Sequence, residues 1–275
     1  MKPLFRDGVF EQDVVLITGG GTGIGALAAL EMGRLGAQIA ICGRRPEPLE
    51  AQAEALRGEG IEVHHGSVDI RDPDSILVFV EAVKERFGGI HVLVNNAGGQ
   101  FPMAAQHLSP RGFEAVVRNN LLGTWNMTHA VATVAMIPAE GGRIVNVIAE
   151  ISRGFPGMVH TGAARAGVEN MTKTLAVEWA QFGIRVNAVA PGVIVSTGTR
   201  QYPREILVAA KQANPMRRLG SPAEVSHLIT YLASPQADFI TGQTVIIDGG
   251  ASLWGSVWQV PEQVPQHPPY AVEEP

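Results

Sequence analysis

Thr161 and Arg165 stand four residues apart in the stretch HTGAARAG, residues 160–167. On a helix that spacing places the two side chains one above the other on a single face. Between them lie only Gly162, Ala163 and Ala164, so a ligand can approach this face closely. A threonine hydroxyl does not ionise near neutral pH, and a guanidinium does not give up its proton. Their shared capability is hydrogen-bond donation and positive field toward an oxygen that gains negative charge. The alternative is structural, with Thr161 capping its helix and Arg165 in an internal ion pair.

Alternating elements must position such a pair. Short runs rich in β-branched residues occur at 14–18 (VVLIT), 38–42 (QIAIC), 62–65 (EVHH), 91–95 (HVLVN), 143–148 (RIVNVI), 185–190 (RVNAVA) and 244–248 (TVIID). Longer segments with helical spacing of apolar residues separate them, such as Ile76, Phe79, Val80 and Val83 behind the start signal Asp72-Pro73. Strands joined through helices predict right-handed crossovers and an α/β fold. The expectation is a single-domain Rossmann-type, doubly wound parallel sheet of about seven strands flanked by helices. It spans residues 1–254, and a proline-rich extension, 255–275, carries Pro261, Pro265, Pro268, Pro269 and Pro275.

The loop TGGGTGIG, residues 18–25, follows the first strand and opens a helix. Gly19, Gly23 and Gly25 permit a tight turn, close approach of backbone to a pyrophosphate, and close helix–strand packing. Gly19, Gly21, Thr22, Gly23 and Ile24 are therefore candidate dinucleotide contacts. Three residues separate Gly19 from Gly23, so the spacing departs from the usual G-x-G-x-x-G. The second strand ends in CGRRPEP with no acid. A carboxylate there would accept from a ribose 2′-hydroxyl, whereas a guanidinium binds a 2′-phosphate. Arg44 and Arg45 accordingly favour NADP(H), the alternative being two solvated loop charges.

A net charge of −5 excludes the basic footprint of a nucleic-acid binder. The single cysteine, Cys42, excludes an internal disulfide framework. No run of 18 apolar residues predicts a spanning helix. The opening MKPLFRDGVFEQD lacks the apolar stretch of a signal peptide, and VEEP is not a peroxisomal S-K-L address. A cytoplasmic protein without membrane or nucleic-acid partners is expected. No zinc spacing is present, so no metal is expected.

In order, the chain shows TGGGTGIG, VDI (68–70), NNAG (95–98), Asn120 in NNLLGTW, and APGVI (190–194). Together these resemble the short-chain dehydrogenase/reductase family over about residues 12–253. The resemblance implies that Asp69 and Ile70 line the adenine, and that Asn96, Ala97 and Gly98 line the cofactor ribose. It implies that Pro191, Gly192, Val193, Ile194 and Ser196 hold the nicotinamide carboxamide, and that Asn187, Arg218 and Asp248 are structural. Family members carry Ser at position 149, Tyr at 161 and Lys at 165; here these are Ala149, Thr161 and Arg165, and only Asn120 remains of the tetrad. The Tyr–Lys pair exchanges a proton with a substrate oxygen, so ketone–alcohol chemistry is in question.

The stretches NNAGGQF and GFPGMVHTGAARAGVENMTKTLAVEWAQFGIRVNAVAPGVI closely resemble the peroxisomal trans-2-enoyl-CoA reductases, and the related dienoyl-CoA reductases also lack the Tyr. That branch implies reduction of a carbon–carbon double bond conjugated to an acyl thioester, as in fatty acid metabolism, with negative charge developing on the thioester oxygen. Asn120, Thr161 and Arg165 are the catalytic candidates: Thr161 as donor to that oxygen, Arg165 as holder of the nicotinamide ribose hydroxyls. Two alternatives stand beside this reading: an alcohol or 3-oxoacyl dehydrogenase with a non-standard proton donor, and a cofactor-binding protein without catalysis.

Further candidates are weaker. Tyr202 lies in the segment 196–215 that covers the substrate in the family, and could deliver a proton; Tyr231 reads as helix core and Tyr270 lies in the tail. His160 reads as locally satisfied, and Glu150 as a salt-bridge former. His64 and His65 point to opposite faces of a strand. Arg200, Arg204 and Lys211 are possible contacts for coenzyme A phosphates. The stripe Val168, Met171, Leu175 and Trp179 exceeds what a solvated helix carries and points to a homo-oligomer, a tetramer by family resemblance.

Overall fold

The protein is described by a computed structural model over residues 8–195, 204–255 and 258–263. Its strands are β1 (Val14–Thr18), β2 (Gln38–Gly43), β3 (Val63–Ser67), β4 (Val92–Asn95), β5 (Gly142–Val147), β6 (Ile184–Pro191) and β7 (Thr244–Ile247). They form one parallel sheet in the order β3-β2-β1-β4-β5-β6-β7. Each β-branched run is a strand, with ends displaced by a residue or two. After β3 the chain returns to pair β4 with β1, so the direction of winding reverses between those two strands. Such a reversal opens a crevice at the carboxyl ends of the strands.

The helices are α1 (Gly23–Arg34), α2 (Pro46–Gly58), α3 (Pro73–Phe87), α4 (Pro110–Val117), α5 (Gly123–Val131), α6 (Val159–Glu178), α7 (Arg204–Gln212) and α8 (Pro222–Ala233). Alternate residues of each inner strand feed opposite layers. Val15, Ile17, Ile39 and Ile41 pack with Ala28, Met32, Leu49, Leu56, Val225 and Ile229 on one face. Val14, Leu16, Ala40 and Cys42 pack with Ile76, Val80, Val83, Met127 and Leu175 on the other. Both faces are covered, as near-continuous apolar strands require.

Local signals set the helix ends near the crevice. Asp72 caps α3 by accepting the Asp74 N–H at 3.1 Å, with Pro73 in the first turn and Gly88 closing it at φ +86°. Between α4 and α5, residues Arg118–Leu122 widen into a π-helical segment. Such segments often accompany functional sites, and this one contains the fully buried Asn120.

The α6 stripe serves the chain's own core. Val168, Leu175 and Trp179 are buried and Met171 packs against the same clusters. It therefore gives no evidence of a partner subunit. Among the described residues no helix is long and apolar enough to cross a membrane.

Candidate active site

β1 delivers the glycine loop to the crevice. Gly19 leaves the strand at φ +67° and donates its N–H to Cys42 O at 2.7 Å, so the loop turns over the end of β2. A Cβ on Gly25 would lie 2.5 Å from Gly19 O and 2.6 Å from Asn96 Nδ2, closer than real contacts allow. Thr22, at the N-cap of α1, makes no side-chain cap bond, and the first turn holds no acid. The first-turn N–H groups thus remain free to meet an anion.

Thr18 and Asn96 lock the loop to β4. Asn96 and Ala97 donate their backbone N–H groups to Thr18 Oγ1 at 3.0 and 2.9 Å, and Asn96 Nδ2 reaches Thr18 O and Gly19 O at 3.1 and 3.2 Å.

A cavity of about 650 Å³ runs over this loop. It brings together Gly19, Gly21, Thr22, Gly23, Ile24, Arg44, Arg45, Ile70, Asn96, Ala97 and Gly98 from the sequence-predicted set. Gly43, Pro48, Leu49, Val68 and Asn119 also line it, beyond the contacts the sequence predicts. Of these, Gly43 had a readable signal: it ends β2 opposite the glycine loop, its would-be Cβ 3.9 Å from the Gly19 Cα. Arg44 and Arg45 are exposed and form no ion pair among the described residues, leaving both guanidinium groups open to a ligand.

Asp69 is placed differently. Its carboxylate is held by Arg71, with contacts at 2.5, 2.9 and 3.1 Å to the side chain and 3.0 Å to the backbone N–H. The hydrogen bond from the Arg71 side chain holds its pKa down at about 2. Its neighbours Val68 and Ile70 line the cavity instead.

Gly98, on the cavity wall, lies against two members of the altered tetrad. Arg165 is 7% exposed, donates from Nη1 to Val147 O at 3.1 Å, and has no carboxylate partner among the described residues. Burial pulls its pKa down to about 10, so it stays charged at neutral pH. Asn120 accepts the Gly99 N–H at 3.2 Å and donates to Gly99 O at 2.7 Å and Val116 O at 3.0 Å. Both tetrad side chains lie against Gly98, where a Cβ would strike Arg165 Nη2 and come within 2.8 Å of Asn120 Oδ1.

Thr161, fully buried in the first turn of α6, donates its N–H to His160 Nδ1 at 2.8 Å, and its Oγ1 lies 3.2 Å from the same nitrogen. Among the described residues Glu150 forms no salt bridge: Ser152 holds its carboxylate through the backbone N–H at 2.7 Å and through the hydroxyl.

Pro191, Gly192 and Ile194 leave β6 beside this turn. Pro191 O accepts the Glu150 N–H at 2.9 Å, Gly192 N–H reaches Ile247 O at 3.0 Å, and Ile194 bridges Gly220. Ser196, Arg200, Tyr202 and Tyr270 lie outside the described residues. Arg204 and Lys211 are exposed on α7. Asn187 and Asp248 hold loops: Asn187 bonds Ile240 O and the Gln243 N–H, and Asp248 accepts from Gly250 and Ser252. Arg218 pairs with Glu224 at 2.5 Å beside the Ser221 cap.

The arrangement fits a nicotinamide dinucleotide. Its volume lies within the range of small-molecule sites, its loop admits close backbone approach, and free cations stand at the end of β2. The family model described as Enoyl-(Acyl carrier protein) reductase matches residues 19–252. A relative named probable 2,4-dienoyl-CoA reductase 3 from Caenorhabditis elegans is 37% identical, over 90% of this chain and 83% of its own. A peroxisomal 2,4-dienoyl-CoA reductase from Pongo abelii is 38% identical, over 92% of this chain and 88% of its own. The solved citronellol catabolism dehydrogenase (AtuB) of Pseudomonas aeruginosa PAO1 superposes with a TM-score of 0.82 at 41% identity, covering 92% of this chain and 100% of its own.

These names correct the expectation of a cytoplasmic protein, since relatives from Pongo abelii, Arabidopsis thaliana, Mus musculus and Rattus norvegicus are called peroxisomal. The S-K-L address weighed in the sequence reads only one kind of signal. The ordered motifs, the sheet topology and these similarities lead to one conclusion: the chain belongs to the short-chain dehydrogenase/reductase family.

Proposed function

We propose that the protein is an NADPH-dependent reductase of the carbon–carbon double bond in a 2-enoyl or 2,4-dienoyl thioester of coenzyme A. The observation that carries this reading is buried Thr161 together with buried Arg165, which has no carboxylate partner among the described residues, where the family's carbonyl chemistry uses Tyr and Lys. The names of the reductase relatives support it.

When bound, NADPH supplies the hydride. The glycine loop and the first turn of α1 would hold its pyrophosphate, Arg44 and Arg45 the 2′-phosphate, and Asn96 to Gly98 the neighbouring ribose. Arg165 would hold the nicotinamide ribose hydroxyls, with Pro191, Gly192 and Ile194 near the carboxamide. Asn120 positions the Gly98–Gly99 backbone through its bonds to Gly99.

Addition to the conjugated double bond moves negative charge to the thioester oxygen. That charge is delocalised, so a hydrogen-bond donor and a nearby cation lower the barrier without a strong acid on oxygen. Thr161 provides the hydroxyl and Arg165 the field. Thr161→Val tests this assignment. Turnover of a 2-enoyl-CoA should fall by about 10²-fold, the lower end for loss of one such donor, with NADPH affinity preserved. A variant working at the wild-type rate would assign the hydroxyl to structure alone.

The chain also has a surface for self-association, by our reading as a tetramer. Phe113, Leu122, Trp125 and Val177 are 37%, 46%, 38% and 79% exposed on α4, the π-helical segment, α5 and α6. Light scattering at micromolar concentration decides it, and a monomer would contradict the reading.

A further inference from the structure

His160 is fully buried, yet among the described residues only one of its ring nitrogens has a partner. Nδ1 lies 2.8 Å from the Thr161 N–H, which it shares as acceptor with Met158 O at 2.9 Å. Because that backbone group is always a donor, Nδ1 must present a lone pair, and the neutral ring then carries its hydrogen on Nε2. Nε2 is buried and has no hydrogen-bond partner among the described residues. An orphaned buried donor costs free energy, which a partner from beyond the described residues would recover.

Its surroundings say where that partner enters. His160 opens α6 at the carboxyl end of the sheet, next to Thr161 and less than two turns before Arg165. Phe101, half-buried in the loop after β4, packs edge-on against the imidazole with ring centroids 4.7 Å apart. The same loop continues from Gly98 and Gly99, which contact Arg165 and Asn120, and its Met103 N–H bonds Gly157 O at 2.7 Å. His160 thus sits where the loops after β4 and β5 close over the end of the dinucleotide crevice. Nδ1 faces the helix backbone, so Nε2 lies on the side of the ring away from it.

Thr161 adds a constraint. Its Oγ1 is 3.2 Å from Nδ1, whose single lone pair already meets the Thr161 N–H, so the hydroxyl can turn toward a ligand. The donor that cannot turn to another acceptor is His160 Nε2–H.

We propose that His160 contacts substrate, donating from Nε2 to the carbonyl oxygen of the acyl thioester, with the rotatable Thr161 hydroxyl as the second donor. This rests on the thioester reading above. The ligand class is an acyl group with a carbonyl adjacent to sulfur. His160 recognises that carbonyl both before and during reaction.

The test compares hexanoyl-CoA with its thioether analogue hexyl-CoA, which lacks only the carbonyl oxygen, by calorimetry on protein saturated with NADP⁺. Wild type should prefer the thioester, and His160→Phe should shrink that preference by about tenfold, the value of one hydrogen bond with an otherwise orphaned donor. Thioether and NADP⁺ affinities should stay within about twofold of wild type. An unchanged preference in the variant overturns the proposal, while failure of wild type to bind either compound overturns the thioester reading with it. If His160→Phe does not fold, His160→Leu also lacks the donor. Wild type supplies an independent measurement: the carbonyl stretch of bound ¹³C-labelled hexanoyl-CoA should move to lower frequency, and an unshifted band would overturn the assignment.

Discussion

The Arg165 guanidinium lies against Gly98, in the space that any side chain at position 98 would fill. This contact joins α6 to the loop after β4, and it leaves a buried cation whose only hydrogen bond among the described residues runs to Val147 O. A buried charge without a counter-ion is costly to the fold. Burial has lowered the pKa, so charging this group opposes folding at all pH values below about 10.

Arg165→Met should therefore hold or raise the stability of the cofactor-free protein, by about 1 kcal/mol, while weakening NADPH binding by roughly tenfold or more. Thermal melts with and without NADPH check both halves. A cofactor-free variant much less stable than wild type would make Arg165 a structural residue.

Arg44 and Arg45 line the same cavity and form no ion pair among the described residues. Arg44→Ala should cost about 1.5–3 kcal/mol of NADPH affinity, roughly tenfold to hundredfold, and leave NADH affinity nearly unchanged. Fluorescence titration of both cofactors measures the ratio. Equal losses for the two would remove the 2′-phosphate from the account of this end of the site.

The Asp69–Arg71 pair predicts an acid-side stability loss. Hydrogen bonding by Arg71 lowers the folded pKa from 3.8 to about 2. The pair's contribution is then present above about pH 4 and disappears as pH falls toward 2. Its effect is modest, because the Asp69 side chain is 33% exposed and solvent screens the attraction. Denaturant unfolding at pH 6 and pH 3 should show a smaller pH dependence in Asp69→Asn than in wild type. Equal slopes would contradict the assignment.

The sheet was legible because parallel strands covered on both faces read as unbroken apolar runs, and the glycine loop because its backbone approach demands glycine at fixed places. Other relationships depend on how the folded chain orients individual groups. The turn that swings Arg71 onto Asp69 leaves no spacing signature, nor does the one that puts Ser152 on Glu150. The α6 stripe has one period whether a sheet or another subunit covers it, and only the structure shows Val168 and Leu175 inside the chain's own core. At His160, the tautomer follows from a single backbone contact, which sequence spacing cannot reveal.

The most direct test of the central claim follows the transferred atom. NADPH carrying deuterium at both C4 positions is incubated with enzyme and, separately, a 2-enoyl-CoA, a 2,4-dienoyl-CoA and a 3-oxoacyl-CoA, and the products are examined by mass spectrometry and NMR. The account predicts one deuterium on a chain carbon of the former double-bond system, with the thioester intact, and little or no reduction of the 3-oxoacyl compound. Deuterium on a carbinol carbon, from reduction of the 3-oxoacyl compound while both unsaturated thioesters return unlabelled, would contradict it.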